Sequence, residues 1–417
     1  MRVQNLMIAA LSLLVFSMTC QRFLNKPNAT TSLADSPKNV FLKPTSVVIN
    51  EPGEQIVDFT KIPLTPNEKA APRAVASHRK IDKVQFANAK TGWAGTDKNL
   101  YKTSDGGNSW EHLALNVPDS SHISAFFFID EGKGWLSLVD NLNIDADTRG
   151  NFSRVMITHD GGQSWTEQSN FSDGVMINEI KFLNSTTGLA AGGRIVNASQ
   201  PYEETFAVST TDGGKTWKNI SNNIKSTAKD GYSRPVSSIN WSEPSQVVLL
   251  LRGGKVIISS DNGEIWKSLV QFEDVRPNGS VSSTGYYKMV VDTVGNLRVL
   301  AGAMGEEGYW GNLITDDDDN SWRSYELIRI PIFDALFLSE KEIVASGWEI
   351  KAQDAKRDSD LPAVGILLHS TDGGKSWSAI YRSQSNERFV SLTKVSENRF
   401  YAMSDAGTLL RFSLRKT

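Results

Sequence analysis

Arginine, aromatic and carboxylate side chains are concentrated in six long segments, at residues 138–154, 192–205, 222–235, 273–286, 302–311 and 347–364. Surfaces that combine arginine with aromatic rings and a few polar groups are typical of protein interfaces and ligand clefts. The mixture therefore predicts a surface that binds a glycan or a peptide. The candidate binding residues are Arg149, Arg194, Tyr202, Arg234, Arg276, Tyr309, Trp310, Trp348 and Arg357.

Carboxylates such as Glu306, Glu307 and Glu349 lie in the same segments. Glycoside hydrolysis needs two carboxyl groups about 5–10 Å apart, a distance that spacing along a chain does not fix. Catalysis on this surface is the alternative to simple binding, and no catalytic residue is assigned.

Other kinds of reaction centre have no signature in the sequence. The five histidines, His78, His112, His122, His159 and His369, are scattered. The acidic run 316–319 is interpreted as a solvated turn in preference to a calcium loop. Phosphate loops, dinucleotide motifs and nucleophile elbows are absent from the sequence. We therefore predict neither a metal nor a cofactor.

The elements that position these segments follow from a repeated pattern, Ser/Thr-x-Asp-x-Gly-x-x-Trp, which occurs six times. Its aspartates are 55, 52, 49, 56 and 55 residues apart, and a fixed period of this length indicates a repeat architecture. The fifth copy departs from the pattern, because Asp319 stands where glycine is expected. The aspartate and tryptophan positions are Asp105 and Trp110, Asp160 and Trp165, Asp212 and Trp217, Asp261 and Trp266, Asp317 and Trp322, and Asp372 and Trp377.

The aspartate, glycine and tryptophan positions of the pattern each have a structural role. A short carboxylate such as Asp105 accepts hydrogen bonds from the backbone of its own turn. Gly107 supplies a backbone conformation with positive φ, and Trp110 begins the next strand and buries its ring. We therefore interpret these residues as turn and core.

Each repeat contains four short strands, A to D, separated by turn residues, and the eight-residue turn joins C to D. Four antiparallel strands make one propeller blade. A seventh repeat near the C-terminus has strands A to C only, while an unpaired strand precedes the first repeat at residues 54–62. We therefore predict an all-β, seven-bladed β-propeller of four-stranded antiparallel blades, closed by the N-terminal strand; six blades is the alternative.

The turns of a blade emerge alternately on the two faces of the disc. The B–C and D–A connections share one face, and the A–B and C–D turns share the other. Because all six long segments are B–C or D–A connections, they should gather on one face, where long loops carry binding residues.

The repeated turn resembles the Asp-box, or BNR repeat, of sialidase-like β-propellers. The Gly-Trp element before strand C, at residues 92–93 and 134–135, is similar to that of photosystem II assembly-factor repeats. The resemblance to the assembly-factor repeats implies a non-catalytic, seven-bladed propeller that binds a protein. The resemblance to the Asp-box propellers implies a sialidase as the alternative.

A sialidase carries a Phe/Tyr-Arg-Ile-Pro motif before its first Asp-box, three arginines that clamp a carboxylate, and a tyrosine nucleophile. The nearest string here runs from Ile328 to Pro331, after the fifth turn and without the aromatic residue. We therefore favour a non-catalytic propeller, with a sialidase-like or other glycoside hydrolase or lyase as the alternative.

The N-terminus predicts export. A short positive start and an apolar run from Leu6 to Met18 are typical of a signal peptide, since the run is too short to span a bilayer. Cys20, the only cysteine, follows this run by two residues, in a sequence that resembles a bacterial lipoprotein processing site. We predict a signal peptide at 1–19, a lipid anchor and flexible tether at 20–52, and the propeller at 53–417. The expected location is the bacterial envelope, periplasmic or on the cell surface, with secretion as the alternative.

Composition agrees with a folded, exported protein. Hydrophobic residues make up 39 % of the chain, and the net charge of −3 argues against nucleic-acid binding. One cysteine forms no internal disulfide, so the core alone must provide stability. We expect a monomer whose partner is a protein or a glycan, held to a membrane through Cys20.

Overall fold

The computed structural model describes residues 38–42, 44–46, 49–50, 57–62, 83–140, 152–172, 174–195, 203–225, 234–243, 246–274, 285–291, 297–305, 308–316, 322–328, 330–350, 363–396 and 399–414. Cys20 lies outside these residues. The helix described within them is far too short to cross a bilayer.

The described part is almost entirely β-structure. The N-terminal segment forms β1 (Lys38–Leu42), β2 (Pro44–Ser46), β3 (Ile49–Asn50) and β4 (Val57–Ile62). The first repeat forms β5 (Lys83–Phe86), β6 (Gly92–Gly95), β7 (Leu100–Thr103) and β8 (Glu111–Leu113). The second forms β9 (Ser121–Phe128), β10 (Gly134–Asp140), β11 (Phe152–Thr158) and β12 (Thr166–Phe171). The third forms β13 (Val175–Phe182), β14 (Gly188–Ile195), β15 (Glu203–Thr210) and β16 (Lys218–Asn219), followed by the helix α1 (Ser221–Lys225).

The remaining repeats follow the same plan. The fourth forms β17 (Val236–Glu243), β18 (Gln246–Leu251), β19 (Lys255–Ser259) and β20 (Lys267–Asp274). The fifth forms β21 (Gly285–Val291), β22 (Leu297–Gly305), β23 (Gly308–Asp316) and β24 (Trp322–Ile328). The sixth forms β25 (Ile332–Phe337), β26 (Ile343–Ile350), β27 (Ala363–Ser370) and β28 (Trp377–Asn386). The seventh forms β29 (Phe389–Ser396), β30 (Arg399–Ser404) and β31 (Leu409–Leu414).

These strands make seven sheets, and in each sheet four strands pair antiparallel and form one blade. The last blade is closed by β4, which pairs antiparallel with β31 from Val57 opposite Leu414 to Ile62 opposite Leu409. Both the seven-bladed propeller and its closure by the N-terminal strand are thus confirmed, and the six-bladed alternative is wrong. Pairing the two chain ends removes the edge that each would otherwise expose.

Strands β1, β2 and β3 are paired to the blades, although they fall within the range 20–52 that the sequence predicts as a flexible tether. Strand β1 adds in parallel to β20 of the fourth blade, β2 to β24 of the fifth, and β3 to β28 of the sixth. We call these three strands the N-terminal strap. Backbone groups of an outermost strand are free to pair whatever the side chains are, so a segment without strong periodicity can still form these ladders.

The innermost strands are tied to each other by polar side chains. Gln85 Nε2 donates to the carbonyl of Phe128 at 2.8 Å, so the first blade holds the second. The Glu179 carboxylate accepts from the amide of Ile239 at 2.6 Å, and Asp334 accepts from the amide of Leu392 at 2.8 Å. The first bond satisfies a backbone carbonyl, and the other two satisfy backbone amides of the inner strands. In blades two to seven the inner strand carries a register shift against its B strand.

An aromatic contact recurs where one blade packs on the next. Trp93 of the first blade stacks on Phe128 of the second with ring centroids 3.7 Å apart, and Trp135 stacks on Phe182 of the third at 3.4 Å. The two indole N–H groups donate to the carbonyls of Gly161 and Gly213, each at 2.9 Å. In both cases a tryptophan of strand B thus hydrogen-bonds to the Asp-box turn of the following blade.

Tyr401 takes the same position where the ring closes. It stacks on Phe86 of the first blade at 5.3 Å, and its hydroxyl donates to the carbonyl of Gly106 at 2.6 Å. Gly107 has a φ of 83°, and a β-carbon there would lie 2.2 Å from the Tyr401 hydroxyl. Glycine is therefore required at this turn both by the backbone conformation and by the close approach of the tyrosine.

The Asp-box turns have the predicted internal bonding. In the first, Asp105 Oδ1 accepts from the amide of Ser109 at 3.0 Å, and the Gly107 amide donates to Thr103 Oγ1 at 2.8 Å. The turns around Asp160, Asp212, Asp261 and Asp372 repeat both bonds. The indoles of Trp110, Trp165, Trp266 and Trp377 donate back to a glycine carbonyl of their own turn. The aspartate of the fifth turn, Asp317, lies outside the described residues, and Trp322 begins β24.

These turns predict a loss of stability in acid. Hydrogen bonds from Ser109 lower the pKa of Asp105 to about 2, and those from Thr216 lower the pKa of Asp212 to about 2, from 3.8. A carboxylate with a depressed pKa stabilises the fold above its unfolded pKa and stops doing so as the pH falls through the folded value. We expect the urea concentration at half-unfolding to decrease as the pH is lowered from 4 to 2. The Asp212→Asn variant should show a smaller decrease, because it lacks one of these carboxylates. Equal slopes for the two proteins would contradict this assignment.

Candidate functional site

The face formed by the B–C and D–A connections, here called the B–C face, is shaped by hairpins that continue further than predicted. Strands β22 and β23 pair as far as Gly305 opposite Gly308, so residues 302–311 are mostly a hairpin and not a long loop. The prediction missed this because small residues there resemble loop composition, yet a two-residue connection between glycines permits continued pairing. Strands β26 and β27 likewise pair out to Ile350 opposite Ala363.

The predicted binding residues are distributed unevenly over the described part of this face. Arg194 lies near the end of β14 and Arg234 just before β17, and both side chains are exposed. Tyr309 and Trp310 belong to β23. Trp348 lies in β26. Arg149, Tyr202, Arg276 and Arg357 lie outside the described residues. Ligand contact by any of these nine residues stays a prediction.

Trp348 is only 5 % exposed, so its ring is not the open aromatic surface that the sequence suggested. The Arg388 guanidinium lies over the ring at 4.5 Å from the centroid, a cation–π contact between the sixth and seventh blades. The Arg388 amide donates to Asp405 at 2.9 Å. Nearby, Arg382 Nε pairs with Glu349 at 2.9 Å. This sector therefore presents arginines that an aromatic ring and a carboxylate hold in place.

A second polar cluster lies on the second blade. Arg154 Nε donates to Asp140 Oδ2 at 2.7 Å, and Arg154 Nη2 donates to Ser121 Oγ at 3.1 Å. The Ser121 hydroxyl also donates to Asp140. Burial opposes the charge of Arg154, but the bonds to Asp140 outweigh it and raise the pKa of the guanidinium. Asp140 and Ser121 are buried, so this cluster fixes the ends of three strands beneath the face.

The network predicts a large loss of stability for Arg154→Ala. Removing one partner of a buried ion pair leaves the other charge desolvated and costs about 3–5 kcal/mol. Adding Asp140→Asn to Arg154→Ala should recover part of that loss, because the amide carries no charge. Urea denaturation of the three proteins measures both effects, and a double variant no more stable than the single one would contradict the account.

A third sector carries exposed positive charge. The Arg234 carbonyl accepts from Thr205 Oγ1 at 2.6 Å, which ties the fourth blade to the third. A β-carbon at Gly253 would lie 3.2 Å from Cγ of Arg234, so the arginine stem crosses the neighbouring turn closely. Arg194 at the end of β14 and Arg252 just after β18 are also exposed. Lys225 of α1 pairs with Glu204.

No group of three or more histidine, cysteine or carboxylate residues with the spacing of a metal site occurs within the described ranges. On the B–C face, Asp140 and Glu349 are each engaged by an arginine. Arg382 and Arg388 were not predicted, because they lie in a strand and in a short turn outside the six long segments. Arg154 stands at the end of the segment 138–154 but belongs to β11, and its buried partners Asp140 and Ser121 are not evident from the sequence.

The comparisons with known proteins agree with this geometry. The family model described as BNR/Asp-box repeat matches residues 368–379, around Asp372 and Trp377. The Asp-box resemblance is confirmed. One curated relative is the photosystem II assembly lipoprotein Ycf48 of Synechococcus sp. (strain CC9902), 22 % identical over 338 residues, which are 79 % of this chain and 84 % of the relative.

Solved structures show the same fold. A structure of YCF48 bound to D1 peptide has a TM-score of 0.55 at 19 % identity, covering 88 % of this chain and 99 % of that one. YCF48 from Cyanidioschyzon merolae has a TM-score of 0.55 at 14 % identity, covering 86 % and 99 %. A GH74 xyloglucanase from Xanthomonas campestris has a TM-score of 0.51 at 13 % identity, covering 84 % of this chain and 53 % of that one.

Proposed function

We propose that this chain is a non-catalytic propeller that binds an extended segment of a protein partner on its B–C face. The observation that carries the proposal is the arginine content of that face, on a fold shared with a peptide-bound YCF48. Arg194 and Arg234 are exposed, and Arg388 is held over Trp348. Arginine suits this role because its planar group binds carboxylates with two parallel hydrogen bonds. The preferred partner segment therefore carries carboxylate groups.

Binding is tested with an array of acidic and neutral peptides and with cross-linking in envelope extracts. The double variant Arg194→Ala with Arg234→Ala should bind the captured segment at least ten-fold more weakly, about 1.4 kcal/mol or more. Arg399→Ala is the matched control, because Arg399 is exposed at the start of β30, on the opposite face. Equal affinities of the double variant and the wild type would exclude this face as the binding surface.

A glycoside hydrolase is the second candidate, favoured by the similarity to the GH74 xyloglucanase. It requires two carboxyl groups about 5–10 Å apart in a cleft. Incubation of the purified protein with xyloglucan and with sialosides separates the candidates: the binding proposal expects no turnover. Release of sugar that is abolished by one carboxylate substitution would establish the enzyme instead.

We further propose that the chain is exported and lipid-anchored at Cys20, as the sequence around it predicts. Metabolic labelling with an alkyne fatty acid should label the wild type and not Cys20→Ser, and the variant should move from the membrane fraction to the soluble fraction. Labelling that persists in Cys20→Ser, or a wild type recovered only in the soluble fraction, would contradict the anchor.

A further inference from the structure

Three lysines on innermost strands come together around the axis of the propeller. They are Lys83 on β5, Lys181 on β13 and Lys288 on β21, which belong to the first, third and fifth blades. All three are half-buried. Strands β5, β13 and β21 are each the first strand of their blade and line the central channel of the ring. Lys181 and Lys288 lie close enough to Lys83 to act on its charge, although blades separate them.

The carboxylates in the channel are already engaged in structural bonds. Asp334, which is 1 % exposed, pairs with Lys288 at 2.6 Å and accepts from the amides of Ala335 and Leu392, each at 2.8 Å. Glu179 accepts from the amide of Ile239 at 2.6 Å. Both acids hold neighbouring blades together, and in the described part of the channel these two carboxylates face the three lysines.

The other two lysines have weaker neighbours. Lys83 Nζ donates to the carbonyl of Phe126 at 3.1 Å and lies 5.3 Å from the centroid of its ring. Lys181 Nζ lies 5.3 Å from the centroid of the Phe127 ring. A carbonyl and the faces of aromatic rings stabilise a cation less than a carboxylate does. Glu179 is the carboxylate that acts on both Lys83 and Lys181. The channel therefore contains half-buried N–H donors that share this carboxylate between them.

Burial is the main cause that lowers the pKa of Lys83 to about 7, and the positive charges of Lys181 and Lys288 add to it against Glu179 and Asp334. The pKa of Lys181 is lowered as well, mainly by burial. Holding these groups together without an anion costs stability whenever they are charged, because like charges in a poorly solvated space repel. A negative ligand would remove that cost.

We propose that Lys83, Lys181 and Lys288 form an anion-binding site in the central channel, which takes an oxyanion of the carboxylate or phosphate class. This site is separate from the B–C face and does not depend on a protein partner. Lysine suits it because an ammonium acts as a compact point charge with three donors that rotate to meet the ligand.

The test uses sulfate, whose charge does not change near neutral pH, and acetate as the carboxylate. Both are titrated calorimetrically at pH 6 and pH 8.5, at constant ionic strength, into the full-length protein. Sulfate should bind wild type at pH 6 and at least ten-fold more weakly at pH 8.5, where Lys83 is neutral. Binding of acetate with the same lysine dependence assigns the site to carboxylates as well; binding of sulfate alone assigns it to the phosphate class.

Lys83→Met and Lys181→Met should each weaken sulfate binding at least ten-fold. Lys218→Met is the matched control, because Lys218 is an exposed lysine on an outer strand paired with Glu264, and it should bind as wild type does. Without added anion, Lys83→Met should be at least as stable as wild type at pH 6, since it loses a desolvated charge; this shows that weak binding is not unfolding. Equal sulfate affinity in all four proteins, or no measurable binding to wild type, would overturn the proposal.

Discussion

Trp135→Ala is expected to destabilise the protein by about 3–5 kcal/mol, the range found when large buried aromatic residues are truncated. The Trp135 side chain is fully buried. Its ring stacks on Phe182 at 3.4 Å, and its N–H reaches the Gly213 carbonyl at 2.9 Å. The substitution therefore opens a cavity between two blades and leaves the turn carbonyl without its donor. Urea denaturation measures the loss.

Two controls separate packing from the hydrogen bond. Trp135→Phe keeps an aromatic ring on Phe182 and loses the donor, so it should cost about 1–3 kcal/mol, less than alanine. Ile265→Ala removes a large side chain that is 64 % exposed, and it should change stability by no more than about 0.5 kcal/mol. An alanine variant as stable as the phenylalanine variant would show that the stacked ring contributes little.

Removal of β4 is expected to have the larger effect, because it opens the ring. A chain that starts at residue 38 keeps every described strand, one that starts at residue 53 loses the N-terminal strap, and one that starts at residue 63 also loses β4. The last should lose more than about 4 kcal/mol, beyond the range of ordinary single substitutions. It leaves β31, with the buried Leu409, Leu410 and Phe412, as an open edge that invites association.

The three chains are compared by urea denaturation and by light scattering. A synthetic peptide of residues 53–64 should raise the stability of the shortest chain with the logarithm of the peptide concentration, because it binds the folded state alone. A scrambled peptide of the same composition should not. If the chain that starts at residue 63 unfolds at the same urea concentration as the chain that starts at residue 53, β4 does not close the ring as the pairing implies.

The closure of the ring could be predicted from the sequence, because the repeats leave one strand too few at one end of the chain and one too many at the other. The last repeat has three strands and the first is preceded by an unpaired one, so closure through Val57–Ile62 followed from counting. The aromatic contacts between blades are also visible in retrospect, because Trp93, Trp135 and Tyr401 stand at the same place in their repeats. A phase-aligned reading of the repeats would have found Tyr401.

The features that sequence reasoning missed depend on neighbours that are distant in the chain. The strap pairs through backbone groups, and no residue pattern between Lys38 and Asn50 indicates which edge it will meet. The Arg388 guanidinium lies over the Trp348 ring where the sixth blade meets the seventh, and the lysines of the channel come from alternate blades. Such contacts arise from the closure of the ring, which a single repeat does not reveal.

The strap and β4 also determine the order in which the molecule can be completed. These strands precede all the blades in the chain, yet their partners lie in the fourth to seventh blades, which are synthesised after blades one to three. Blades one to three can assemble from their own residues, whereas β1 has no partner until Asp274 has emerged and β4 has none until Leu414 has. Strands β1 to β4 must therefore remain without their final partners through most of synthesis, and a chaperone that accompanies the nascent protein has its clearest target there.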